Sequence, residues 1–213
     1  MAELLDLNHV RLTNRPLIVC DIDEVVLEFL TPFRDFLRSR GHDLLPRSFR
    51  LHGNIVHLDS GEAIADDLVS ALQEEFFLRQ AEWQMPAELA VETLAELAGE
   101  ADIVFLTAMP PRHATVRRAL LDRFRLNYPL LASEEAKGPI VKRLQAGRGV
   151  PFAFIDDIWR NLHSVREHAP DCLLVNLMVD ADFRALAPDP GEGISKAGDW
   201  ADVARIVRAH ISR

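Results

Sequence analysis

The stretch "LIVCDIDEVVLEF" (residues 17–29) sets four apolar residues directly before Asp21, Asp23 and Glu24, at the point where a buried strand would surface. Crowded carboxylates repel one another, and withdrawing them from water is costly unless a cation compensates. A strand that ends on such a cluster either turns out into solvent or delivers the acids to a site.

The same form recurs along the chain in "ADIVFLT" (101–107), "PFAFIDD" (151–157), "DCLLVN" (171–176) and, more weakly, "YPLLAS" (128–133). Each is short, rich in Val, Ile, Leu or Phe and without polar alternation, the pattern of a strand buried on both faces of a parallel sheet. Helical patterns separate these runs. "PAELAVETLAELAG" (86–99) has Pro86 at its expected start and Gly99 just past its end. "PPRHATVRRALLDRF" (110–124) sets Val116, Leu120 and Leu121 on one face, "GPIVKRLQAG" (138–147) opens with Pro139, and "GDWADVARIVRAHI" (198–211) has Asp199 as its cap. Alternating strand and helix predicts an α/β, Rossmann-like doubly wound parallel sheet, in which function gathers at the carboxyl ends of the strands.

One segment breaks the alternation. Residues 28–85 contain no convincing buried strand but do contain "SGEAIADDLVSALQEEFF" (60–77), with Ile64, Leu68, Leu72 and Phe76 spaced by four, and a short candidate hairpin around Gly53-Asn54. The expected organisation is a core from residues 1–27 and 86–213, interrupted by a small, mostly helical insertion over 28–85. An insertion rooted beside a site is placed to cover it.

Bulk properties narrow the function. The 213 residues are 48% hydrophobic and 27% charged, which suits one compact domain with a modest insertion. The net charge of -9 and the absence of a Lys/Arg run speak against a nucleic-acid polymer as partner. Cys20 and Cys172 each adjoin an apolar run, as buried thiols do, and predict a reducing compartment without a disulfide framework. With no long apolar run and charges mixed through the N-terminus, the chain reads as soluble and cytoplasmic, with no membrane partner.

The strand ends bring Asp21 and Asp23, then Thr107, then Asp156-Asp157, to one edge of the sheet, and Lys137 stands just ahead of a helix there. Residues i and i+2 of an extended segment point the same way, so Asp21 and Asp23 address one reacting group. Phosphoryl transfer to a carboxylate asks for a nucleophile, a proton donor for the leaving oxygen, and cations on the phosphoryl oxygens. Magnesium is the hard cation suited to a few carboxylates, and it relieves their repulsion. Lys142 falls inside its helix on a solvated face, so Lys137 is the expected lysine. Arg112 and His113 open a helix behind Pro110-Pro111 and are read as surface. His52 and His57 are read as solvated loop residues, Trp159 as packing at a helix start, and Phe76, Phe77 and Trp83 as core of the insertion.

The order of "LIVCDIDEVV", "DIVFLTA", "KGPIVKRL" and "FAFIDD" resembles the haloacid dehalogenase superfamily of phosphohydrolases, from Pro16 to about Asn176. The insertion is similar to that superfamily's helical caps, and "DIDEVVLEFLTPFRDFL" is most similar to its nucleotidase-type members. The resemblance implies a small phosphorylated metabolite as partner and Mg2+ as cofactor. It implies Asp21 as nucleophile and Asp23 as acid/base, the latter touching the metal through its backbone carbonyl. Thr107, the adjacent Ala108 and Lys137 would bind the phosphoryl group, while Asp21, Asp23, Asp156 and Asp157 would form the metal site. Glu24 stands where the family commonly has Gly, and Val26 where Thr often follows. Two other readings are a phospho-accepting signalling module and a catalytically silent protein of the same fold. Receiver domains, however, are far shorter and place their acidic pair before the accepting Asp.

Overall fold

The computed structural model describes residues 5–212. In chain order the elements are β1 (Leu17–Cys20), α1 (Leu30–Arg38), β2 (His42–Leu44), β3 (Ile55–His57), α2 (Asp66–Leu78), α3 (Gln80–Trp83) and α4 (Ala90–Leu97). There follow β4 (Asp102–Thr107), α5 (Ala114–Arg123), β5 (Leu130–Ala132), α6 (Lys137–Gln145) and β6 (Phe152–Asp156). The chain ends with α7 (Trp159–His168), β7 (Leu173–Leu177), α8 (Ala181–Leu186), β8 (Ile194–Ala197) and α9 (Trp200–Ile211).

Six strands form a parallel sheet in the order β5-β4-β1-β6-β7-β8. Connections run outward in opposite directions from β1, so the switch point of this doubly wound sheet lies beside the strand that ends in Asp21. The apolar runs are continuous because both faces are covered. Ile18 and Cys20 pack with Leu94 and Val203 from α4 and α9, whereas Leu17 and Val19 pack with Val141 and Val165 from α6 and α7. Cys20 and Cys172 are both free and buried.

Between β1 and α4 lie α1, the antiparallel pair β2-β3, α2 and α3, packed around a cluster that includes Phe33, Phe36, Ile55, Val69 and Phe76 and that Met178 and Phe183, beyond β7, join. Two strands of chain join this unit to the sheet layer side by side. Glu28 N donates to Met85 O at 3.0 Å, and Leu27 bridges Pro86.

Several local expectations are corrected. Pro86 does not start α4, because its segment is used in that bridge, with Ala87 N on Val26 O, and the helix begins only after Leu89 at a φ of 62°. The hairpin is not centred on Gly53-Asn54, since β3 pairs with the distant "HDL" of β2 and Gly53 lies in the loop between them. The inward stripe of α2 is Val69, Leu72 and Phe76. Ile64 precedes the helix, bonded to Ile55, and Leu68 is exposed. Lys137 is not ahead of α6 but is its first residue, and the sequence reading missed β8 and α8 altogether.

Candidate active site

Three carboxylates converge at the carboxyl edge of the sheet. Asp21 follows β1 and donates its backbone N–H to Ile155 O at 2.9 Å, while Asp156 ends β6 and Asp157 follows it. All three are buried, and each brings one oxygen within 4.8 Å of the others. Lys137 Nζ sits between two of them, 2.8 Å from Asp21 Oδ1 and 2.7 Å from Asp156 Oδ2.

Helix α6 aims that ammonium at the acids. As the first helical residue Lys137 opposes the partial positive charge of the helix start, a cost that two adjacent carboxylates offset. The following Gly138 lets α6 approach α7: a Cβ there would meet Ser164 O at 2.1 Å.

The charges do not balance. Burial pushes the Asp21 carboxyl up to about 7, Lys137 pulls it down and Asp156 pushes it further up. Burial raises Asp157 well above the usual carboxylate range, with Asp156, Asp21 and Glu24 adding to the rise. On Lys137 burial disfavours the charge, but Asp156 and Asp21 outweigh it and raise its pKa. Ionised together, three acids against one ammonium would leave two carboxylates without a counter-charge, a deficit that a divalent cation would fill.

The acids differ in how far protein donors occupy them. Asp156 Oδ1 accepts from Ile158 N at 2.8 Å and Asn161 Nδ2 at 3.0 Å, and its Oδ2 takes Lys137. The Asp157 carboxylate has no hydrogen-bond donor among the described residues, although it lines the cavity.

Asp23 stands apart from this cluster. Its side chain is 19% exposed and pairs with the fully buried Arg117 of α5, a residue that sequence reading missed. The available signal was a charge at an inward position of α5, in register with Leu120 and Leu121. Thr107 Oγ1 accepts from Met109 N at 3.1 Å and lies 3.4 Å from Asp23 Oδ2, with Ala108 next to it on the cavity wall.

Glu24 makes the tight turn after the motif at a φ of 62°, in the left-handed region where the resembling family commonly has Gly. Its carboxylate gives the longer side chain three backbone partners there. Oε2 accepts from Phe29 N at 3.1 Å and Leu30 N at 2.8 Å, capping α1, and Oε1 accepts from Asp180 N at 2.6 Å.

Above these groups is a cavity of about 590 Å3, roofed by the 28–85 segment through Phe49, Leu51, Ser70, Gln73 and Phe77. Phe76 is insertion core, as read from the sequence, whereas Phe77 also faces this cavity. Arg112 and His113 are not idle surface. Arg112 donates to Glu74 of α2 at 2.9 and 2.5 Å, and the buried His113 has Nε2 2.9 Å from Glu74 Oε1. Lys142 is exposed on α6.

No family model and no curated protein sequence matches this chain. Solved structures do. A conserved haloacid dehalogenase-like protein of unknown function from Agrobacterium tumefaciens aligns with a TM-score of 0.62 at 12% identity, over 92% of this chain and 98% of its own. A haloacid dehalogenase-like hydrolase from Streptococcus pneumoniae gives 0.56 at 13%, over 90% and 98%. A predicted phosphoglycolate phosphatase from Haemophilus somnus gives 0.56 at 15%, over 92% and 99%. The chain has the haloacid dehalogenase-like α/β fold over nearly its whole length. Among the described residues no helix is long and apolar enough to cross a membrane.

Proposed function

We propose that this chain is a magnesium-dependent phosphatase that hydrolyses a small phosphate monoester through an aspartyl-phosphate on Asp21. The observation that carries the reading is the buried Asp21 carboxylate, 2.8 Å from Lys137 at a strand end, facing a cavity that Asp23, Thr107 and Asp157 also line. Neighbours of the same fold that are described as hydrolases or phosphatases support it.

An Asp21 oxygen attacks phosphorus, the ester P–O bond breaks, and Asp23 gives its proton to the leaving oxygen. Water then attacks the phosphorus and Asp23 takes its proton. The bond to Asp21 breaks, releasing phosphate and restoring both carboxyl groups. The Thr107 hydroxyl, the Ala108 backbone and the Lys137 ammonium hold phosphoryl oxygens. With Asp156 occupied by Lys137, Asn161 and a backbone amide, the side chains assigned to magnesium are Asp21 and Asp157, together with the Asp23 carbonyl. When bound, magnesium would neutralise the charge on the phosphoryl oxygens and relieve the crowded acids.

The 28–85 segment acts as a cap that selects the leaving group and excludes water. Its wall of Phe49, Leu51 and Phe77 favours a nucleoside over a small sugar. The test is hydrolysis of an aryl phosphate and a panel of nucleoside monophosphates, with and without magnesium, by wild type and Asp21→Asn. Magnesium-dependent turnover that vanishes in Asp21→Asn is expected. Turnover that survives the substitution would overturn the nucleophile, and binding of magnesium without turnover would favour the silent-protein reading.

A further inference from the structure

Arg117 grips Asp23 with both ends of its guanidinium. Nη1 donates to Oδ2 at 3.0 Å and Nη2 to Oδ1 at 2.9 Å. Two amides complete the arrangement. Gln84 Nε2 donates to the same Oδ1 at 2.9 Å while Gln84 Oε1 accepts from Arg117 Nη2 at 3.2 Å, and Arg117 Nε donates to Gln80 Oε1. Gln80 is itself held by its donation to Phe77 O at 2.6 Å. Gln84 sits at the return crossing from the insertion and also donates to Glu28 O, at 3.0 Å.

Packing alone does not ask for this. A Leu or Met at position 117 would fill the inward face of α5 without desolvating a charge, and a buried ion pair is weak support for stability. Among the described residues the one carboxylate that Arg117 meets is Asp23. Asp23 is thus clamped from behind while still lining the cavity in front. A bidentate fork fixes the plane of a carboxylate as well as its position. Proton transfer in a transition state is sensitive to that alignment.

We propose that Arg117, assisted by Gln84, is the positioning residue for Asp23: it holds the carboxyl group in line with the leaving oxygen and does not touch the reacting atoms. The proposal rests on the phosphatase reading, in which the P–O bond pair goes to the leaving oxygen and the Asp23 proton joins it there. A good leaving group such as 4-nitrophenolate departs without that proton, and phenolate needs it far more. Misalignment of Asp23 therefore falls selectively on the poorer leaving group, whereas a merely structural loss falls on both alike.

The experiment compares kcat/KM for 4-nitrophenyl phosphate and phenyl phosphate, with magnesium, in wild type, Arg117→Lys, Gln84→Met, Asp23→Asn and Asp21→Asn. Arg117→Lys keeps the buried charge but loses the fork. It is expected to lose about 30-fold on phenyl phosphate and no more than about threefold on 4-nitrophenyl phosphate, in the same sense as Asp23→Asn. Should Arg117→Lys melt below the assay temperature, Gln84→Met carries the test, with a selective loss of about fivefold. Equal losses on both esters, no loss, or a gain would overturn the proposal while an inactive Asp21→Asn left the phosphatase reading standing. Wild-type turnover in Asp21→Asn would remove that reading and this one with it.

Discussion

Lys137 Nζ lies 2.7 Å from Asp156 Oδ2 with both groups buried, so the ammonium proposed to hold a phosphoryl oxygen is also the counter-charge of the strand-end acids. Removing one partner of a buried ion pair leaves the other desolvated and unpaired. Lys137→Met is expected to destabilise the fold by about 3–5 kcal/mol and to abolish turnover, as read by urea denaturation and aryl phosphate hydrolysis. Unchanged stability would show that water reaches Asp156 in the native state.

The raised carboxyls predict a linked pH dependence. Asp21 moves from 3.8 to about 7 on folding, so between those values the native chain binds a proton that the unfolded chain has released. Metal-free stability from this group therefore falls as pH rises through that window, and Asp157 and Glu24, also raised, act in the same sense. A cation on Asp21 and Asp157 displaces the proton. Magnesium is expected to bind more tightly at pH 7.5 than at pH 5.5, with proton uptake by buffer visible in calorimetry across buffers of different ionisation heat. Binding that is independent of pH would place the metal away from these acids.

Glu24 carries two opposed effects. A left-handed backbone angle on a residue with a Cβ costs about 1 kcal/mol, and the carboxylate's three bonds to backbone N–H groups offset it. Glu24→Ala keeps the strain and loses the cap, and is expected to lower stability by about 2 kcal/mol. Glu24→Gly relieves the strain and should lose less. In both variants magnesium-dependent turnover is expected to stay within about threefold of wild type, because Glu24 holds α1 and the Asp180 loop rather than the substrate.

Gly138 is the contact that lets α6 reach α7, with its N–H 3.2 Å from Ser164 Oγ. Gly138→Ala drives a methyl into the Ser164 carbonyl, so either the helix moves and carries Lys137 with it or the fold is strained. A loss of about 2 kcal/mol is expected in thermal melts, accompanied by reduced turnover. A stable and fully active variant would contradict the close packing.

Glu74 links the insertion to the core through Arg112 and His113. Hydrogen bonds from Arg112 and then His113 hold its carboxyl down at about 2. Its favourable pairing is therefore present above the ordinary Glu value of 4.5 and lost as pH falls toward 2. Glu74→Gln is expected to loosen the insertion, raising KM about fivefold with kcat nearly unchanged, and high salt should raise the wild-type KM toward the variant's. A change in kcat alone would argue against this link.

Much of this was legible in the chain itself. A strand buried on both faces must be apolar throughout, so β1, β4, β6 and β7 announce themselves, and a parallel sheet gathers their ends on one edge. The order of these runs therefore carried the fold class and the expectation that Asp21, Thr107, Lys137, Asp156 and Asp157 gather at that edge. β2 and β8 were not legible: "HDL" and "ISKA" are short and part polar, and they become strands only because a partner strand pairs with them.

What tertiary structure decided is pairing at a distance. The inward position of Arg117 on α5 can be read from the chain, but that it meets Asp23, 94 residues away, is decided only when the elements stack. Glu24 reads as one more acid of the cluster until the turn points it at the amides of α1 and Asp180. Local pattern records which face of an element is apolar, because burial of that face is a property of the element. Which donor meets which carboxylate depends on how separate elements are stacked, and no local period carries that information.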